Sequence, residues 1–332
     1  MILYVTSNKA KISVKDNTFV IEEGDLIRSV PAETLDSVLL FGKTELTHSC
    51  IRNLLIRGIP VTFLSSKGEY FGRLMSTSHS NIARIKKQIA CTADTDLRMK
   101  MAKQFVCNKI KNQTVVLRAY QRTHKKKLDD VFTQLRRAAA NAVSAENEES
   151  LMGYEGIASR SYFQGLSSII HPDFRFSGRT RRPPKDAFNS MLSLGYTLLL
   201  YEFVSVIESQ GLSAYAGFLH KDRVNHPTLA SDLMEEWRAV IVDRVALSLV
   251  LGREISIDNF VLDEETGGVR LDNTAMRKFL TKLEMKMKTN TNYLQNQMAP
   301  MSFRKAIGHQ VTSLVRVIED RDPDLYNAMV IR

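Results

Sequence analysis

Short apolar runs separated by turn-forming residues fill the first part of the chain. Runs such as ILYV, TFVIE and SVLLFG are divided by KDN, EEGD and SSKGE. This pattern is typical of β-strands joined by turns. One helical segment, THSCIRNLLIRG, interrupts it, with Thr47 as the predicted N-cap and Gly58 as the stop. The pattern predicts a small β-rich domain over residues 1–76.

From residue 81 onward the apolar residues follow the 3.6-residue period of α-helices. The small polar segment STSHSN, residues 76–81, separates the two patterns and is the predicted linker. A hairpin is predicted at 260–272, where the pair GG supplies the turn. The predicted helices are 81–91, 94–121, 126–146, 149–170, 187–209, 228–251, 273–287 and 302–319. The prediction is an α+β fold with a β-rich domain at 1–76, a linker and first helix at 77–93 and a mostly α-helical domain at 94–332.

The balance of charge adds a prediction about partners. The 332 residues include 46 Lys and Arg against 36 Asp and Glu, which leaves a formal charge of +10. Such a surplus favours a polyanionic partner, nucleic acid first and an anionic membrane second. The longest apolar run, near 197–207, looks too short and too interrupted to span a bilayer. Since Cys50, Cys91 and Cys107 lack CxxC spacing, they fit free thiols in a reducing cytosol, and we expect a soluble, cytoplasmic protein.

Three acidic residues crowd one predicted helix. Asp232, Glu235 and Glu236 lie at positions i, i+3 and i+4, opposite an apolar stripe that includes Leu233. Like charges at this spacing cost about 0.2–0.5 kcal/mol per pair. Two explanations for their presence remain open: favourable interaction with the helix N-terminus, or a divalent cation to which His220 adds a nitrogen ligand.

Two other segments carry candidate chemistry. In GYEGIASRSYF, Glu155 is flanked by small residues, which permit either the close approach of a ligand or helix packing. The segment RFSGRTRRPPKD, residues 175–186, precedes a helix that carries Asn189, Ser193 and Tyr196. Such a basic segment is either a solvated loop or a stiff phosphate-binding loop. A second basic cluster at 118–127, with Arg84, Lys86 and Lys87, is interpreted as a helical surface that tracks phosphates or maintains solubility.

Taken together, three motifs carry a resemblance to a known family. They are GYEG-x-AS-x-x-YF at 153–163, FSGRTRRPPKD-x-x-N-x-x-LS-x-GY-x-LL at 176–199 and GFLH…LASDLMEEWR at 217–238. With these motifs the chain resembles the CRISPR-associated DNA endonuclease/integrase family, which inserts new spacers into CRISPR arrays in antiviral defence. The resemblance covers nearly the whole chain. Its departures from the family pattern are Trp237 and Ser231, and neither is a proposed ligand.

The resemblance implies a site. Glu155, His220 and Glu235 match the positions that bind Mg²⁺ or Mn²⁺ in the family, and Asp232 matches a supporting acid that binds the ion through water. The basic loop and the helix after it then become candidates for DNA binding beside the catalytic residues. These candidates are Arg175, Arg179, Arg181, Arg182, Lys185 and Tyr196.

The resemblance also implies architecture, partners and chemistry. It implies a β-sandwich-like N-terminal domain that pairs two subunits into a homodimer, and an α-helical catalytic domain. The implied partners are DNA (prespacer and CRISPR repeat/leader), a small ferredoxin-like second adaptation protein and a prespacer-trimming nuclease, with no membrane. The implied reaction is attack of a DNA 3′-hydroxyl, or of water, on a phosphodiester. The alternatives are a stand-alone nuclease for branched DNA and a non-catalytic basic DNA-binding module.

Overall fold

The computed structural model describes residues 1–77, 80–124, 127–291 and 299–331. The chain forms two compact units, Met1–Ser80 and Asn81–Arg332. The boundary between them falls within the predicted linker at 76–81, of which residues 78–79 lie outside the described residues. A strand-rich unit followed by a helical unit confirms the predicted α+β fold class.

The N-terminal unit consists of strands that surround one core. The strands are β1 (Ile2–Val5), β2 (Lys11–Lys15), β3 (Thr18–Glu23), β4 (Leu26–Pro31), β5 (Ser37–Phe41), β6 (Glu45–Leu46), β7 (Val61–Leu64) and β8 (Tyr70–Leu74). They form two four-stranded sheets in the orders β1-β5-β7-β8 and β4-β3-β2-β6. Apolar side chains from both sheets, including Phe19 and Leu40, share the core with Leu54 of helix α1 (His48–Ile56), which Thr47 caps as predicted. Strand β4 is an edge of the second sheet and is mostly exposed.

The C-terminal unit is built from helices. They are α2 (Ile82–Ala93), α3 (Thr95–His124), α4 (Asp129–Val143), α5 (Glu148–Ile169), α6 (Ala187–Ser209), α7 (Thr228–Arg238), α8 (Arg244–Leu251), α9 (Asn273–Lys288) and α10 (Phe303–Asp320). The predicted hairpin is present as β9 (Phe260–Asp263) and β10 (Gly268–Leu271), and a short pair, β11 (Asn290–Thr291) and β12 (Met301–Ser302), precedes α10. The predicted helix at 228–251 is split into α7 and α8 by a π-helical turn at Ala239–Asp243. Residue 126, the first residue of the predicted helix at 126–146, lies outside the described residues.

Helices α6 and α7 form the centre of the helical unit. By length and composition α6 could cross a membrane, contrary to the prediction that its apolar run is too short. Most of it is buried among the other helices, so its apolar character is that of a core helix. Every residue of α7 from Thr228 to Trp237 is buried, so the acidic side that lies opposite the apolar stripe is buried as well. Burial raises the pKa of all three cysteines, and that of Cys50 to about 11, as expected for inert thiols.

Candidate active site

A buried lysine brings two of the predicted metal ligands together. Helix α3 packs against both α5 and α7, which carry Glu155 and Glu235. The Nζ of Lys109 on α3 lies 2.7 Å from Oε2 of Glu235 and also donates a hydrogen bond to Oε1 of Glu155. The Lys109 side chain is only 8% exposed. None of the sequence motifs includes Lys109, although a lysine among the buried apolar residues Phe105, Val106 and Ile110 of α3 is itself a signal.

The charges around Glu235 keep it ionised. Burial alone would raise the pKa of this carboxyl, but the charges of Arg238 and Lys109 lower it to about 2. Nη2 of Arg238 lies 3.2 Å from Oε1 of Glu235. Burial acts in the same way on Glu155, where the charge of Lys109 outweighs it and lowers the pKa. The two carboxylates in turn raise the pKa of Lys109 in spite of its burial. The site therefore holds one buried carboxylate, that of Glu235, and one partly buried carboxylate, that of Glu155, around one ammonium group.

Asp232 orients His220. It is fully buried, and its Oδ2 accepts the backbone N–H groups of Phe218 and Leu219 at 2.7 and 2.9 Å. Its Oδ1 accepts the N–H of His220 at 3.1 Å and lies 2.6 Å from the imidazole Nδ1. The four contacts of the carboxylate all come from this loop, which gives Asp232 a role in holding His220; its contact with an ion through water stays a prediction. The carboxylate leaves Nε2 of His220 as the nitrogen that can bind a metal, as carboxylate partners of metal-bound histidines do.

Gly217 permits this close contact of loop and helix. A Cβ atom at this position would lie 2.5 Å from Oδ2 of Asp232 and 3.0 Å from the backbone carbon of Thr228. Burial by itself lowers the pKa of His220, but the hydrogen bond and charge of Asp232 outweigh it and raise the pKa. The charge of His220 also affects the pKa of Glu235, so the imidazole lies within electrostatic reach of that carboxylate.

Glu236 belongs to a different part of the core. Its Oε2 accepts the backbone N–H of Met329 at 2.7 Å, and Gln310 and the Tyr326 hydroxyl also hydrogen-bond to this carboxyl group. Burial raises the pKa of Glu236 to about 8, against the effect of these hydrogen bonds. The first turn of α7 contains no acidic residue, which removes the helix-dipole explanation. Each acidic residue of α7 is stabilised separately: Asp232 by a loop, Glu235 by cations and Glu236 by hydrogen bonds that it accepts in the core.

The donor set fits a divalent cation only after a rearrangement. In the described parts of the chain, no group of three His, Cys, Asp or Glu side chains is placed to hold a metal ion. The ammonium of Lys109 lies between the two carboxylates instead. Oε2 of Glu235 is buried without a well-aligned hydrogen bond despite its contact with Lys109. Two carboxylates and an imidazole oriented through Nδ1 are nevertheless suitable ligands for Mg²⁺ or Mn²⁺.

The basic loop is joined to this site through Tyr196. The guanidinium of Arg179 donates to Asn189 at 2.7 Å and to Ser193 at 3.1 Å, and it lies over the Tyr196 ring. The guanidinium of Arg238 lies over the same ring, 4.8 Å from its centroid. Tyr196 is buried and its hydroxyl donates to Asp243 at 2.6 Å. The Tyr196 ring therefore supports two arginines, and its contact with DNA stays a prediction.

The other basic residues divide into exposed and paired groups. The exposed members of the predicted DNA-binding set are Arg175, Arg181, Arg182 and Lys185. Arg84 and Lys87 of α2 form ion pairs with Glu319, which makes them part of a helix contact. Near the end of α3, a cavity of about 830 Å³ is lined by several arginines and by the buried Phe132. These arginines are Arg118, Arg122, Arg136 and Arg244.

The chain is similar to known proteins over nearly its whole length. The sequence model of the family described as CRISPR associated protein Cas1 matches residues 3–285. The CRISPR-associated endonuclease Cas1 of Mycobacterium tuberculosis is 34% identical over 322 residues, which cover 97% of this chain and 95% of the relative. A solved Cas1 structure from Thermotoga maritima has a TM-score of 0.82 at 25% identity, over 96% of this chain and 97% of that one. A chain of a Cas6-RT-Cas1–Cas2 complex has a TM-score of 0.85 at 26% identity, over 99% of this chain and 36% of that one. The chain therefore belongs to the Cas1 family of CRISPR-associated endonucleases, the nucleases and integrases of CRISPR adaptation.

Proposed function

We propose that Glu155, His220 and Glu235 hold a divalent cation, Mg²⁺ or Mn²⁺, and that this site catalyses the attack of a DNA 3′-hydroxyl or of water on a phosphodiester. The observation that carries the proposal is the convergence of Glu155 and Glu235 on a single cation, the Lys109 ammonium. His220 lies within electrostatic reach of Glu235, and Asp232 fixes the orientation of its ring. The endonuclease class supports a general dependence on a divalent metal, and the identity of the ion and of its three ligands is what we propose.

When bound, the ion would supply Lewis-acid stabilisation of the phosphoryl oxygens. The protein supplies the positions of the reacting groups. Glu155 and Glu235 are held on packed helices, so their carboxylates need little reorganisation. In integration, a bond forms between the attacking 3′-oxygen and phosphorus, while the bond to the displaced 3′-oxygen breaks. With water as the attacking group, the same exchange is hydrolysis.

DNA binding is assigned to the exposed part of the basic loop. Arg181 and Arg182 are exposed, whereas Arg179 is docked against Asn189 and Ser193 and fixes the loop. The cavity lined by arginines at the end of α3 is a second surface that fits phosphates. Each phosphate contact contributes about 0.9 to the slope of log affinity against log salt. Replacing Arg181 and Arg182 together with Gln should flatten this slope by about 1.8. An unchanged slope would show that neither arginine contacts a phosphate and that both lie in a solvated loop.

The partners follow from the fold and from the relatives. We assign homodimerisation to the N-terminal unit, where the edge strand β4 exposes Leu26 (59%) and Ile27 (67%), because an apolar sheet edge favours pairing. A related chain is part of a complex with Cas2, which supports a small second adaptation protein as partner. A relative from Geobacter sulfurreducens is a Cas4/Cas1 fusion of an exonuclease and an endonuclease, which supports a trimming nuclease. Because its substrate is cellular DNA, we place the protein in the cytoplasm.

The deciding experiment is an integration assay. The protein is combined with the small second adaptation protein, a DNA with free 3′-hydroxyl ends and a plasmid that carries a repeat, with Mg²⁺, Mn²⁺ or EDTA. We expect joined products only with a divalent ion, and none from Glu155→Gln, His220→Ala or Glu235→Gln. Binding of the same DNA should persist in all three variants. Full activity of His220→Ala would overturn the ligand assignment, and nicking without joining would favour the stand-alone nuclease.

A further inference from the structure

Lys109 occupies the place where the proposed site needs a cation. Its Nζ contacts a carboxylate oxygen on each of two helices, Glu155 on α5 and Glu235 on α7. The lysine side chain is 8% exposed and that of Glu235 is 5% exposed, so solvent screens these contacts little. Two carboxylates this close would repel each other strongly without a positive charge between them.

The geometry points to Lys109 as an internal counter-ion that holds the two carboxylates in place without metal and must be displaced when a divalent ion binds. This inference rests on the proposed metal site. An ammonium group and a divalent ion cannot occupy the same gap, because both require direct contact with the same carboxylate oxygens. The affinity for metal is therefore reduced by the free energy of breaking the lysine contacts.

The surroundings of Glu235 permit this displacement. Glu235 keeps a positive neighbour when Lys109 leaves, since Nη2 of Arg238 lies 3.2 Å from its other oxygen.

The first test measures the affinity for Mn²⁺ by titration calorimetry, without DNA. Lys109→Met keeps the length and apolar stem of the side chain but removes its charge. We expect it to bind Mn²⁺ at least about tenfold more tightly than the wild type, because a buried ion pair no longer has to be broken. Lys100→Met, on the exposed side of the same helix, is the matched control and should leave the affinity unchanged. Equal or weaker binding by Lys109→Met would overturn the inference.

The second test uses the wild-type protein, so it does not depend on the folding of a variant. Amines are labelled briefly with acetic anhydride, with and without Mn²⁺, and the modified lysines are identified by mass spectrometry. Lys109 should be protected without metal and labelled with Mn²⁺, while Lys100 should be labelled equally in both. Protection of Lys109 under both conditions would show that the ammonium is not displaced.

A third measurement separates this inference from the proposed function. Glu235→Gln should abolish Mn²⁺ binding if the proposed ligand set is right. If the wild type binds Mn²⁺, Glu235→Gln does not and Lys109→Met binds like the wild type, only the role of Lys109 fails. If Glu235→Gln binds Mn²⁺ like the wild type, the proposed metal site fails, and the inference fails with it.

Discussion

Replacing Asp232 by Asn tests how the loop that carries His220 is held. Each oxygen of this buried carboxylate accepts two donors: Oδ2 from the N–H groups of Phe218 and Leu219, and Oδ1 from the N–H and Nδ1 of His220. Whichever way the amide of Asn turns, its NH₂ group faces two donors that then have no acceptor. Leaving a buried donor unsatisfied costs about 1–3 kcal/mol, so the loss in free energy of unfolding should be about 2–6 kcal/mol.

Urea denaturation of the metal-free protein measures this loss. Asp222→Asn is the matched control, because Asp222 is an exposed acid of the same loop and its replacement should leave the unfolding free energy almost unchanged. NMR titration of His220 gives a second readout. Its pKa is raised mainly by Asp232, against the effect of burial, and should fall in Asp232→Asn. Stability within about 0.5 kcal/mol of the wild type, the usual range for a surface substitution, would refute the role given to Asp232.

Three further predictions follow from the same geometry. The pKa of His220 is raised and a metal ligand must be neutral, so Mn²⁺ binding and activity should fall with decreasing pH already above the ordinary pKa of 6.5. The contact between protonated His220 and Asp232 stabilises the metal-free protein at low pH, and this stabilisation is lost as pH rises through the raised pKa. Mn²⁺ affinity that rises with pH and metal-free stability that falls with pH would confirm both signs. Gly217→Ala should lower the unfolding free energy by about 1–3 kcal/mol, because the added Cβ would collide with Asp232 and the Thr228 backbone. Gly178→Ala is the control in the same thermal denaturation experiment, because a Cβ at that position would lie in open space. Glu236→Gln should lower the unfolding free energy, because its NH₂ group faces donors in either orientation, but it should flatten the loss of stability as pH rises from 4.5 to about 8, since a buried acid with a raised pKa favours folding at low pH. A pH-stability curve parallel to that of the wild type would contradict the raised pKa of Glu236.

The sequence motifs indicated the family, but they did not indicate which contacts the individual residues of each motif make. Glu155, His220, Asp232 and Glu235 are marked by the segments YEG, FLH and DLMEE. The contacts of Asp232 with the loop could not be predicted, because its oxygens accept backbone N–H groups of another segment, and backbone direction in a loop is not encoded in spacing. Tyr196 was predicted as a DNA-binding residue from its place after the basic loop. It is buried because α6 is apolar on all sides and lies in the centre of the unit.

By itself, the sequence determined the local features of this protein. Apolar period, caps and turn residues act over a few positions, so they predicted the strand-rich and helical regions, the cap at Thr47 and the hairpin at 260–272. Only the tertiary structure decided which charges neutralise one another. Lys109 precedes Glu155 by 46 residues, and nothing local relates the two. Their contact exists because α3 packs against α5 and α7, and burial there makes each carboxylate depend on a partner far away in the chain.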